Sequence, residues 1–221
     1  MVKEKYYRID SILSDLPAIG KVIETDKVFD INRIARFAEL KSIFEKTYNY
    51  SDQYNLPVAT ILELISTMNT PRFNLLYSRI EVGKDQVNSI IEDVNKANLQ
   101  LNKEGRFFFD YILTIAKKKI FDEKKIDLPD RFLSKYFFEN LGDCYSYIRE
   151  FGIGKIIEVK FIEVNYLLRA DNKLLSSFEN DATSKDLLKQ SEDFLLGVET
   201  LNPVYEIVFR GKYQITKHIN F

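Results

Sequence analysis

The stretch RFFFDYILTIAKKKIF, Arg106 to Phe121, constrains the fold more than any other segment. Phe108, Ile112 and Ile115 fall along one helical line, with Phe109, Leu113, Ala116 and Ile120 beside it, so the apolar surface is wider than a single stripe. Such a helix needs neighbours on most of its sides. The uncharged run from Tyr111 to Ala116 is far too short to cross a bilayer, and no membrane partner is expected. Lys117, Lys118 and Lys119 occupy the last turns, where positive charge complements the helix dipole. The expected role is a central core helix, with an interface through Phe107, Phe108 and Tyr111 as the competing one.

The flanking segments repeat the helical period. Ile31, Ile34, Ala35, Ala38, Leu40, Ile43 and Phe44 form an amphipathic pattern after the capping residue Asp30, and SDQYN follows as a loop. Pro57 opens PVATILELISTM, and Pro71 opens a further helix reaching about Ile80. After Gly83, Val87, Ile90, Ile91, Val94 and Leu99 mark another. Ile9, Ile12, Leu13, Leu16 and Ile19 predict a short helix or turn at the start, interrupted by Pro17 and Gly20. DRFLSKYFFENLGDCYSYIREF predicts a helix bent or divided at Gly142 and Asp143.

KIIEVKFIEVNYLLRA fits both periods: Ile157, Val159 and Phe161 alternate like a strand, while Ile153, Ile157, Phe161, Val164 and Leu168 continue a helical line. The helical period lasts longer, and a helix is the expectation. The polar region from Asp171 to Asp186 reads as loop, and Thr183 or Ser184 caps a helix bearing Leu187, Leu188, Phe194 and Leu195. Val204, Ile207 and Phe209, then Tyr213 and Ile215, alternate on either side of Gly211, predicting a terminal β-hairpin. The expected fold is thus mainly α, a multi-helix orthogonal or irregular bundle with a small C-terminal β-hairpin. An N-terminal helical region over 1–151 and a C-terminal segment over 152–221 are the expected parts.

Composition removes several function classes. A net charge of -1 provides no long-range positive field for general nucleic-acid binding. One cysteine, Cys144, allows no internal disulfide and no cysteine-rich zinc site. Cytoplasmic localisation is expected. His218 is the lone histidine and reads as an ordinary edge-strand residue, while Cys144 reads as a buried, inert thiol. Around Gly152 and Gly154, GIGK lacks the leading glycine and the Ser or Thr of a phosphate loop. No cofactor, metal or catalytic group is expected.

Three functional readings follow. The first is a noncatalytic protein-interaction or assembly factor, a subunit of a larger complex or a self-associating chain, touching its partner through Phe107, Phe108, Tyr111, Phe209 and Tyr213. The second is a nucleic-acid-binding regulator built on a helix-turn-helix-like unit at 57–80, with Arg72, Asn74, Arg79 and Lys84 as contacts. A carboxylate-dependent enzyme is the third. The stretch from Asp171 to Glu199, with three lysines and seven acidic residues, offers an acidic surface to a basic partner.

Overall fold

The computed structural model describes residues 4–11, 15–27, 31–68, 70–128, 131–151, 154–176 and 181–219. The fold is mainly helical and includes a multi-strand sheet. Two compact units are formed from interleaved parts of the chain: 31–126 with 175–192, and 1–30 with 127–174 and 193–221.

The strands and helices, in chain order, are β1 (Tyr6–Ser11), β2 (Val22–Glu24), α1 (Ile31–Tyr54), α2 (Val58–Ser66), α3 (Pro71–Ser78), α4 (Lys84–Ala97), α5 (Leu101–Glu104) and α6 (Arg106–Lys124). They continue with β3 (Lys135–Phe138), α7 (Leu141–Phe151), β4 (Gly154–Asp171), α8 (Lys173–Ser176), α9 (Ser184–Leu195) and β5 (Tyr205–Ile219). Expected helices are present at α1, α2, α3, α4 and α6. The capping role given to Asp30 lies outside the described residues, as do Gly152 and Ile153 of the phosphate-loop comparison.

In the helical unit, α1 buries Phe37, Leu40, Ile43, Phe44, Thr47, Tyr50 and Ser51, spaced by three and four residues along one face. It also absorbs the expected loop SDQYN. Ser51 is fully buried, donates from Oγ to the Leu56 carbonyl at 2.7 Å, and accepts from the Ser184 amide at 2.9 Å. Those bonds hold the last turn in helical form until Asn55 adopts φ 52°. Arg36 joins α1 to its neighbours, donating to the Ala97 carbonyl and to Glu104, each at 3.0 Å. At the start of α9, the Thr183 amide and hydroxyl both donate to Asp186, at 2.9 and 2.7 Å, a cap of the kind the sequence predicts.

The other unit departs further from expectation. Of the short helix or turn expected from Ile9 to Ile19, Ile9 belongs to the strand Tyr6–Ser11, Ile12 and Leu13 lie outside the described residues, and a turn occurs at Ile19 and Gly20; Lys135–Phe138, expected within a helix, is also a strand. The expected helix over KIIEVKFIEVNYLLRA is β4, which runs from Gly154 to Asp171. Its strand character is concealed because Ile156, Ile157, Glu158 and Val159 are all buried, so the two faces do not alternate in polarity. The segment around Gly211 is not a turn: β5 passes through it, and the terminal paired element consists of β4 with β5.

β5 pairs with β3 and with β4, while β1 pairs with both β3 and β4, all antiparallel. These four strands therefore close on themselves, and β2 adds beside β5. Phe161 stacks on Phe209 at 3.9 Å and on Tyr6 at 4.1 Å, and Phe137 meets Phe161, Phe209 and Tyr213 edge on. Register shifts between Phe161 and Glu163 and between Val164 and Tyr166 bend β4 where it crosses β5. At that crossing Gly211 has φ 141°, and a Cβ there would lie 2.0 Å from the Glu163 carbonyl oxygen.

Asp171, at the end of β4, is fully buried. Its carboxylate accepts from the Thr200 amide at 2.8 Å and hydroxyl at 2.6 Å, and from the Val204 and Lys173 amides at 3.0 Å each. Burial pushes its pKa up, but the hydrogen bonds from Thr200, Val204 and Lys173 outweigh this and hold it below the ordinary value.

Two stability predictions follow from these positions. Gly211→Ala is expected to cost about 3 kcal/mol, read as a lower urea midpoint at unchanged slope, because the close approach of β4 leaves no room for a methyl group. Asp171→Ala is expected to cost about 2–3 kcal/mol by the same measurement, since it strands buried donors. Because folding lowers the Asp171 pKa, its stabilisation is complete above the ordinary value of 3.8 and is lost as pH falls through the lower folded value. The variant should accordingly lose less stability than the parent across that acid range.

Candidate functional site

The aromatic residues expected at an interface are internal. Phe107, Phe108 and Tyr111 are buried, with Phe107 edge on to Phe37 at 6.3 Å, and Phe108 edge on to Phe44 at 5.8 Å. Burial, then the charge of Glu45, pushes the Tyr111 hydroxyl up to about 12. Phe209 and Tyr213 are fully buried among the sheet aromatics, and Arg8 donates to the Tyr213 hydroxyl at 2.7 Å. These five side chains fill the interiors of their units. β5 is paired along both sides, so its backbone is already engaged.

The other residues selected from sequence lie together at the surface. Arg72, Asn74 and Arg79 are exposed on or just beyond α3, and Lys84 is exposed at the start of α4. Arg72 forms an ion pair with Glu63 of α2. Lys84 stands over the Tyr77 ring, 5.7 Å from its centre, and the Tyr77 hydroxyl donates to Asn88 at 2.7 Å. Three cations, Arg72, Arg79 and Lys84, share this region with three carboxylates, Glu63, Glu81 and Asp85. The local field is consequently mixed rather than positive.

α3 itself is unusual in what it leaves uncovered. Phe73, Leu75, Leu76 and Tyr77 make half of its eight residues, yet none of the helix is buried. Leu75 is 53% exposed, Phe73 stacks on Tyr77 at 5.4 Å, and Val82 is exposed just past the helix. The turn into α4 is fixed from α1: the Tyr50 hydroxyl donates to the Val82 carbonyl at 2.8 Å, and that of Tyr54 donates to Gln86 at 2.7 Å. α3 is therefore anchored at its end while Leu75 stays exposed and Phe73, Leu76 and Tyr77 stay half-buried.

A cleft of about 490 Å³ opens beside the N-terminus of α3, lined by Ile65, Ser66, Met68, Thr70, Leu99, Gln100 and Leu101. Sequence reading gave no functional role to Phe73, Leu75 or these lining residues. A usable signal was present: Thr70-Pro71 and Gly83 bound a short helix with Phe73, Leu76 and Tyr77 on one side and Leu75 on the other, so its apolar residues cannot all be covered from one direction.

The groups considered for chemistry have structural partners. The His218 ring donates from Nε2 to the Pro17 carbonyl at 2.8 Å. Cys144 is fully buried beside Phe138 and Ile156, and burial, with Asp143 adding, pushes its thiol up to about 12. Among the described residues, no group of three or more His, Cys, Asp and Glu side chains is disposed to hold a metal ion. No helix is long and apolar enough to cross a membrane among those residues.

The sequence matches no protein-family model and no curated protein.

Proposed function

We propose that the chain is a noncatalytic protein-interaction or assembly factor whose contact surface is α3 with its adjoining cleft. The observation that carries this reading is a helix with no buried residue, on which Leu75 is exposed and Phe73, Leu76 and Tyr77 are only half-buried. Phe73, Leu76 and Tyr77 share one side of α3 and Leu75 lies on the other, and accessible apolar groups bordered by charge are the composition of an interface core and its rim. Ile65, Met68, Leu99 and Leu101 line the open cleft beside Thr70 at the start of α3, a second apolar element next to it.

Nucleic-acid binding through residues 57–80 is the second reading, supported by the exposure of Arg72, Asn74 and Arg79. The ion pair of Arg72 with Glu63 and the carboxylates of Glu81 and Asp85 favour the protein reading, because phosphate tracking requires a net positive strip.

The test is the native mass of the protein isolated gently from cells that make it, at low and raised salt, compared with Leu75→Glu. A defined assembly heavier than 26.0 kDa that persists in salt is expected for the parent. Leu75→Glu should weaken it by about 2 kcal/mol, roughly thirtyfold, without changing the far-ultraviolet circular dichroism. A parent that runs alone at 26.0 kDa overturns the proposal. Salt-labile nucleic acid lost on Arg72→Gln with Arg79→Gln would replace it with the second reading.

A further inference from the structure

The C-terminal turns of α6 hold a surface that the α3 reading does not use. Ala116 and Ile120 are buried there, whereas Phe121 is 47% exposed and Lys118, Lys124 and Lys125 are exposed. At about 100° per residue, Lys117, Lys118, Phe121 and Lys124 share a sector of about 120°, with the phenyl ring near its middle. Asp122 and Glu123 fall outside that sector. Lys119 also lies outside it and is bound to Glu192 at 2.6 Å.

The sector has little internal neutralisation. Lys117, Lys118 and Lys124 make no ion pair among the described residues. Lys125 ends the helix with φ 59°, donates to the Asp122 carbonyl at 3.0 Å, and carries its ammonium 5.8 Å from the centre of the Phe121 ring. An accessible ring thus has the Lys125 ammonium 5.8 Å from its centre and Lys117, Lys118 and Lys124 in the same helical sector.

We infer that this end of α6 binds single-stranded nucleic acid, with Phe121 stacking on a base and Lys117, Lys118, Lys124 and Lys125 meeting the flanking phosphates. Charge complementarity selects a polyanion, and the central ring selects one whose bases are unpaired. A duplex would leave the ring idle, because its bases are already stacked. A bilayer would bury one phenyl group from this sector, which is little anchoring for a surface helix. Lys118 and Lys125 are seven residues apart, a rise of about 10 Å, so the surface spans a few nucleotides and not an extended groove. The chain's overall charge of -1 restricts the attraction to this local patch.

The experiment is fluorescence anisotropy of a labelled oligothymidine of about 16 nucleotides, titrated with the full chain across a salt series. Four neutralised phosphates predict a slope of about -3 in log affinity against log salt, equivalent to roughly fiftyfold between about 50 and 200 mM. Phe121→Ala is expected to weaken binding about tenfold at fixed salt. Lys118→Gln with Lys125→Gln should lower the magnitude of the slope by about 1.4. Both variants change exposed side chains, and unchanged circular dichroism with an unchanged urea midpoint establishes that they fold.

Arg72→Gln with Arg79→Gln should leave the oligonucleotide affinity and slope unaltered. Absence of salt-dependent binding by the parent overturns the inference, as does equal binding by the parent and the α6 variants. Loss of binding in the α3 variant would relocate the site and likewise overturn it. Co-sedimentation with phosphatidylserine vesicles, without binding to the oligonucleotide, would assign the patch to a lipid surface instead.

Discussion

The pairing of β4 with β5 is the constraint on which the sheet unit depends. It extends from Ile156 opposite Ile219 to Asp171 opposite Tyr205, bringing distant parts of the sequence into one register. Each of these strands also pairs on its other side, β4 with β1 and β5 with β3 and β2. A slip by one residue would turn Phe161, Phe209 and Tyr213 away from their shared interior. Gly211 and the bulges of β4 allow the two long strands to cross closely while keeping that register. Asp171 then fixes the end of the pair by binding the backbone of the segment that leads into β5.

The helical unit solves a different problem. α6 and α1 meet through Phe44, Phe108 and Tyr111, consuming the apolar surface that sequence alone leaves available for a partner. Arg36 satisfies carbonyl groups at the end of α4 and also pairs with Glu104, so a charged group joins separate helix ends without requiring a fully buried ion. With those strong aromatic contacts committed internally, the accessible candidates are smaller and local. They are the apolar side chains of α3 and the basic-aromatic end of α6. One is suited to desolvation against a protein and the other to a flexible polyanion, because their neighbouring charges differ.

The helices most legible in the sequence were those with one polar face. In α1 and α4, spacing of apolar residues by three and four reports the same local face that packing uses. The strands were less legible for a corresponding reason. Tyr136, Phe137 and Phe138 form a continuous aromatic run, and in β4 the alternation of Ile157, Val159 and Phe161 competes with a longer helical line while even Glu158 is buried, so neither segment displays a dependable period of two. Gly211 lies between two alternating runs and resembles a turn locally, although its conformation serves an approach by Glu163. Among the site residues, exposure of Arg72, Asn74, Arg79 and Lys84 agrees with their polarity; the accessibility of Leu75 does not follow from its type.

Sequence by itself determined that α6 would need extensive cover, that Pro57 and Pro71 would begin helices, and that one cysteine would leave the fold without an internal disulfide. Those properties follow from side-chain polarity, fixed proline geometry and residue identity. Tertiary structure decided that Phe108 and Tyr213 are core, that β4 and β5 become partners, and that no apolar residue of α3 is fully covered. Each of these outcomes depends on groups far away in the chain, because burial and strand pairing are properties of what arrives beside a residue and not of the residue's own period.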